Sequence, residues 1–313
     1  MWILLIFLVL VIAVYLYTYP RAGIYLQAFD NYIHCQRASL TKHATVVKGK
    51  NLVWYDNLQY QQIDDRPVLL LLHGFTADKQ VWLKAAVQLS HHFRLVIPDM
   101  PGHGDSETPN YDSFSLDALA ECFIDLMEQI RVEHYFVAGN SLGGLTAAKM
   151  GTMVPDTILG NVLINPAGIA NESEPTPFMA MMKNGVNPFF TRSRQQFSTL
   201  FTLSMARPPL MPKVVVDALA DNHIASSANY ESFFACCFND ASIFNDKIET
   251  MTVPTLLIFG MKDDIISTAT IDFWRQSDAV EFQPFYDAGH MPMMEIPART
   301  SFAIQFFIEK LKS

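Results

Sequence analysis

The chain has 313 residues, half of them hydrophobic and 17% charged, which is enough to bury one large core and too apolar for a disordered protein. A formal net charge of -9, with 22 Lys and Arg in no long basic block, argues against nucleic acid as a partner. The four cysteines, two of them adjacent, and nine scattered histidines offer neither a disulfide framework nor ligands at metal spacing, so no metal and no other cofactor is expected.

Residues 2–19 hold no charge and are almost all aliphatic or aromatic, which predicts a membrane span over residues 1–20. No Lys or Arg precedes this run and no Ala-x-Ala follows it, so a cleaved secretory leader is disfavoured. Trp2, Tyr15, Tyr17 and Tyr19 fall near its ends, where amphipathic rings favour the interface. Arg21, Arg37, Lys42, Lys48 and Lys50 all follow it, which favours a cytoplasmic side for the remainder of the chain. In the linker at 21–43, Tyr25, Leu26, Phe29 and Ile33 recur near helical spacing, fitting either a helix on a membrane surface or one packed on the domain.

A first core segment is expected over residues 44–168. Residues 45–47 and 52–55 flank Lys48-Gly49-Lys50-Asn51 as a hairpin, and the apolar run 68–72 ends at His73-Gly74-Phe75. A helix at 79–90, a strand at 93–97 ending near Asp99, and a helix at 116–130 follow. The strand at 135–138 runs into Gly139-Asn140-Ser141-Leu142-Gly143-Gly144 and then a helix, and residues 162–164 lead to Asn165-Pro166-Ala167-Gly168. This alternation predicts an α/β fold with a parallel sheet, placing His73, Asp99, Ser141 and Asn165 at the carboxyl ends of strands, where ligands bind.

The alternation breaks over residues 169–247, which are rich in Phe, Met and Pro. A structureless loop of that length is improbable, so an inserted helical cap is expected. The core resumes over 248–313, with strands at 255–259, ending in Gly260-Met261-Lys262-Asp263, and at 280–286, ending in Asp287-Ala288-Gly289-His290, then a helix at 299–311.

A serine hydroxyl is a poor nucleophile at neutral pH, and acyl transfer from it needs a histidine to take its proton and an acid to orient that imidazole. Ser141, Asp263 and His290 occur in the order serine, acid, histidine, each just after a predicted strand. Asp264 competes with Asp263 for the acid role. The tetrahedral intermediate needs two N–H donors, assigned to the backbone amides of Leu142 and Phe75. His73 and His103 read as turn residues stabilising their own loops.

HGF at 73–75, DMPGHGDS at 99–106, GNSLGG at 139–144, GMKDD at 260–264 and AGH at 288–290 together resemble the α/β-hydrolase superfamily over nearly all of residues 44–313. That resemblance implies a mostly parallel eight-stranded sheet flanked by helices. The apolar N-terminus, NPAGI at 165–169 and the cap sequence NPFF…LFTLSMARPPLMP resemble membrane-anchored monoacylglycerol lipases and related bacterial lipases. This second resemblance implies hydrolysis of a lipid ester, with Phe178, Met182, Phe190, Phe201 and Met205 of the cap as candidate walls for the acyl chain. Two other readings stay open: a carbon–carbon bond hydrolase of the meta-cleavage type, and a non-catalytic ligand-binding relative.

Overall fold

The structure, a computed structural model, describes residues 2–58, 64–170, 173–238, 244 and 250–312; the side chains of residues 3, 4, 12–17, 20 and 113 lie outside this description. Part of the cap expected over 169–247 therefore lies outside the described residues.

The chain opens with the long helix α1 (Trp2–Arg37), then the hairpin β1 (Thr41–Val47) and β2 (Lys50–Asp56). Next come β3 (Val68–Leu72), a 3-10 turn Lys79–Trp82, α2 (Leu83–Leu89), β4 (Arg94–Pro98), α3 (Leu116–Gln129), β5 (Tyr135–Asn140), α4 (Leu142–Met153) and β6 (Ile158–Ile164). Among the described residues three helices interrupt the alternation: α5 (Pro177–Lys183), α6 (Arg194–Ser204) and α7 (Lys213–Cys237). The chain closes with β7 (Thr255–Gly260), α8 (Ile271–Trp274), β8 (Val280–Phe285), α9 (Pro292–Glu295) and α10 (Pro297–Lys312).

The eight strands form one sheet in the order β1-β2-β4-β3-β5-β6-β7-β8. Pairings involving β1 and β2 are antiparallel and all others parallel. Strand residues alternate between two apolar layers because side chains one residue apart point to opposite faces. Leu70, Leu72 and Val137 pack in one layer, and Leu69, Leu71, Phe136 and Ala138 in the other. Both layers are covered by helices, so β3 reads as an unbroken apolar run, and each fully buried Leu contributes about 2 kcal/mol. Local chemistry sets the helix ends: Ser115 caps α3 by accepting from Ala118 N–H at 3.2 Å, and Thr176 caps α5 ahead of a Pro in its first turn.

The N-terminal membrane span expected over residues 1–20 is not supported. Among the described residues no helix is long and apolar enough to cross a membrane. The described side chains of residues 5–11 are apolar and exposed. The later part of α1 packs on the folded body. Tyr19 Oη donates to Asp217 on α7 at 3.0 Å, and Gly23 sits so close to α7 that a Cβ would lie 2.1 Å from the Val214 carbonyl oxygen.

Candidate active site

Ser141 stands between β5 and α4 at φ 55°, ψ -115°, a backbone conformation that costs a non-glycine residue of order 1–3 kcal/mol. Its peptide groups hold it there: the N–H donates to Ile164 carbonyl at 3.0 Å, and the carbonyl accepts from Leu145 at 3.0 Å and Ala167 at 3.1 Å. The flanking glycines are required by contact. A Cβ on Gly139 would lie 2.1 Å from the Gly143 carbonyl oxygen, and one on Gly143 would lie 2.4 Å from that of Leu72. Leu142 opens α4, so its N–H lacks an intrahelical acceptor and sits at the positive end of the helix. Opposite, a Cβ on Gly74 would touch the Ser141 Cβ at 3.2 Å, which sets the Gly74–Phe75 turn against the serine.

His290 and Asp263 are both buried, with Nδ1 and Oδ2 2.7 Å apart. A carboxylate only accepts, so the ring proton lies on Nδ1 and the Nε2 lone pair is left to act as a base. Asp263 Oδ1 accepts from the Ile265 and Ile266 amides at 2.7 and 3.0 Å, and Oδ2 accepts also from Asn165 Nδ2 at 2.6 Å. Asp264 is exposed; burial of its carboxyl and then the Asp263 charge push its pKa up, and its carbonyl accepts from Phe178 N–H at 3.1 Å. Asn140, next to Ser141, donates through Nδ2 to the His290 carbonyl at 2.8 Å and to that of Ile164 at 3.1 Å. The loops after β7 and β8 are thus joined through Asp263 and His290, and Asn140 ties the end of β5, next to Ser141, to the His290 backbone.

His73 and His103 lie close by and are engaged otherwise. His73 Nδ1 lies 2.7 Å from the Gly74 carbonyl and Nε2 accepts from Met100 N–H at 2.9 Å, while burial pulls its pKa down to about 4. Burial lowers His103 further, to about 3. Under the turn that follows Phe75, Lys79 is buried against Asp99, whose carboxylate also accepts from the amides of Lys79 and Asp105, both at 2.8 Å. This charged knot fixes the loop bearing the Phe75 amide. The Phe75 ring is buried among His103, Phe189, Tyr230 and Phe233, at centroid distances of 5.7, 5.1, 5.8 and 5.5 Å, so α7 grips the same residue from above.

The candidate acyl-chain residues are spread over the three inserted helices and their connections. Phe178 is buried against Phe189 at 4.8 Å, and half-buried Phe190 meets Phe234 edge-on at 5.5 Å, which links both to the aromatic group around Phe75. Met205 is buried, and its neighbour Ala206 presents its backbone N against Gly289, where a Cβ would lie 2.7 Å away. Phe201 packs on Phe197 at 6.0 Å along α6, and Met182 is half-buried on α5; neither is brought to the triad by a described contact. Sequence reasoning assigned no role to Asn140, Asn165 or Lys79. The only signal was position, since Asn140 precedes Ser141 and Asn165 follows a predicted strand. Among the described residues no His, Cys, Asp and Glu group is placed to hold a metal ion.

A family described as alpha/beta hydrolase fold matches residues 67–297. Lipase 3 of Moraxella sp. (strain TA144) is 28% identical over 275 residues, covering 87% of this chain and 85% of that protein. Monoacylglycerol lipase ABHD6 of Mus musculus is 24% identical over 255 residues, covering 78% of this chain and 76% of that protein. Among solved structures, the crystal structure of a membrane phospholipase A, described as a bacterial virulence factor, superposes with a TM-score of 0.88 at 27% identity and covers all of both chains.

Proposed function

The chain belongs to the alpha/beta hydrolase family, and from that premise we propose that it is a serine hydrolase cleaving carboxylic esters of lipids. The observation that carries the reading is the buried 2.7 Å contact between Asp263 and His290 beside a serine held in a strained turn. In the proposed cycle His290 Nε2 takes the Ser141 proton as Oγ attacks the ester carbonyl. The Leu142 and Phe75 amides receive the oxyanion, each contributing roughly 3 kcal/mol of barrier lowering. The intermediate collapses, the alcohol leaves with the proton from His290, and water repeats the sequence on the acyl-enzyme. Asp263 holds the imidazole and stabilises its cation.

Within esters, we favour monoacylglycerols and related lipids with medium or long acyl chains. Support comes from the Phe- and Met-lined insertion over the site and from the names of the relatives, which are lipases. The exposed apolar end of α1, with Trp2 and residues 5–11, supports attachment of the protein to a bilayer, with the basic residues after it favouring the cytoplasmic face.

Hydrolysis of a p-nitrophenyl ester by the full chain in detergent tests the reading. Turnover lost in Ser141→Ala is the expected result, and no turnover above that variant would overturn it. A graded series of monoacylglycerols and acetate esters tests the substrate: preference for acetate would contradict the lipid assignment.

A further inference from the structure

The strand-end asparagine of the NPAG stretch lies outside the serine, acid, histidine and oxyanion groups, yet it holds the acid. Asn165 has φ 44°, a left-handed backbone that asparagine tolerates better than most side chains. Its orientation is fixed by its partners. The Gly260 amide can only donate, so the atom 3.0 Å from it is the Asn165 carbonyl oxygen Oδ1. The other end of the carboxamide is therefore Nδ2, which donates to Asp263 Oδ2 at 2.6 Å and lies 3.3 Å from the Gly260 carbonyl. One side chain thus grips both the end of β7, where the acid loop begins, and the carboxylate that the loop carries. It is itself buried, and its own N–H donates to the Ile258 carbonyl at 3.0 Å, so the grip is anchored on the neighbouring strand.

The oxygen it binds is the one that accepts from His290 Nδ1. Asp263 Oδ1 is occupied by the Ile265 and Ile266 amides, so the carboxylate is fixed at both oxygens and cannot rotate away when the imidazole becomes a cation. We propose that Asn165 is a positioning residue for the hydrolytic reaction: by donating to Asp263 Oδ2 it fixes the lone pair that orients His290 toward Ser141. This rests on the serine hydrolase reading. Asn165 acts through Asp263 and does not touch substrate.

The test compares Asn165→Gly with Asn165→Asp in the full chain. Glycine accepts the left-handed backbone and removes the side chain. Aspartate keeps the shape and can still accept from Gly260, but it presents an oxygen where Asp263 needs a donor. Both variants are expected to lose about ten- to a hundredfold in kcat on the p-nitrophenyl ester with KM within about twofold, the loss associated with one charge-assisted hydrogen bond. The rate of Ser141 labelling by an alkyl fluorophosphonate should fall in parallel, and aspartate should be no better than glycine. A role in folding alone predicts the opposite: Asn165→Asp near wild type, and labelling per folded molecule unchanged in both. Either result would overturn the proposal. Absence of fluorophosphonate labelling in the unsubstituted protein would instead count against the serine hydrolase reading itself, so the two failures are distinguishable. Thermal melts of each variant give the folded fraction to which rates are normalised.

Discussion

Asn140 Nδ2 lies 2.8 Å from the carbonyl oxygen of His290, so the residue preceding Ser141 is tied directly to the residue proposed as its base. The same amide nitrogen donates to Ile164 at 3.1 Å, which makes one buried carboxamide the cross-link between β5, β6 and the loop after β8. Replacing it with Ala removes this donor from the His290 carbonyl, at about 1–3 kcal/mol, while the Ile164 carbonyl keeps the Ser141 N–H. Asn140→Ala is expected to lower both the urea midpoint and kcat, with KM nearly unchanged. Full activity per folded molecule would show that the His290 loop holds its place unaided.

The Lys79–Asp99 pair supports the turn carrying the Phe75 amide from below. Lys79 and Asp99 are both fully buried, and Lys79 also contacts Asp105 at 2.7 Å. Removing one partner strands the other charge in the core, which costs about 3–5 kcal/mol. Lys79→Met is therefore expected to be far more destabilising than Lys42→Met, whose exposed partner is the same Asp105 at 2.8 Å. Urea denaturation of the two variants checks the ranking, and equal losses would contradict it.

Acid should weaken the fold before it reaches the ordinary carboxylate range. Burial lowers His73 to about 4, His103 to about 3 and His223 to about 4, against 6.5 when unfolded. A depressed folded pKa means that the unfolded chain binds more protons. Each histidine thus contributes stability that is full above pH 6.5 and is lost as pH falls toward the folded value. Asp78 runs the other way: burial and then the Asp99 charge raise it to about 6, so its contribution declines as pH rises from about 4 to 6. Three histidines outweigh one aspartate, and the net expectation is a fall in unfolding free energy from pH 7 to pH 5. The maximum slope per group is about 1.4 kcal/mol per pH unit. Urea titrations at both values check this, with His103→Phe expected to flatten the dependence; stability independent of pH across that window would refute it.

Shortening the N-terminus separates the two parts of α1. Among the described residues, the contacts of α1 with the body include Tyr19, Gly23, Gln27 and Asn31, the last two reaching Gln80. Removing residues 1–17 should leave the melting temperature within about 3 °C, whereas removing residues 1–37 should lower it by at least about 5 °C by baring the faces of α2 and α7. Equal melts for the two truncations would mean that α1 adds nothing to the fold.

The alternation of apolar strands with amphipathic helices and the Gly-x-Ser-x-Gly turn were readable from residues near one another in the chain, and Asp263 and His290 from the strand that each follows. Such features depend on local backbone geometry: a period of two, a period of 3.6, and a turn that admits only glycine two residues before and after the serine. Asn140 and Asn165 could not be read in the same way, because their partners lie 150 residues away at His290 and 95 to 98 away at Gly260 and Asp263. A carboxamide at a strand end looks like an ordinary turn former until the sheet brings its acceptors within 3 Å. The Gly260-x-x-Asp263 spacing favours Asp263 over Asp264, and it is Asp263 that is buried against His290 while Asp264 is exposed.

The apolar run at the N-terminus marks the limit of the one-dimensional reading. Hydrophobicity over residues 2–19 determined that this stretch would seek a non-aqueous surface, but composition carries no information about which surface. Only the tertiary structure decided that the following turns of α1 lie on α7 and the turn at Gln80, because helix packing depends on the shape of a partner assembled from distant segments. The sequence by itself determined the residue types proposed for catalysis and their order along the chain. The fold decided which neighbouring amides hold them, since a hydrogen bond is made between positions in space and the sheet alone sets those positions.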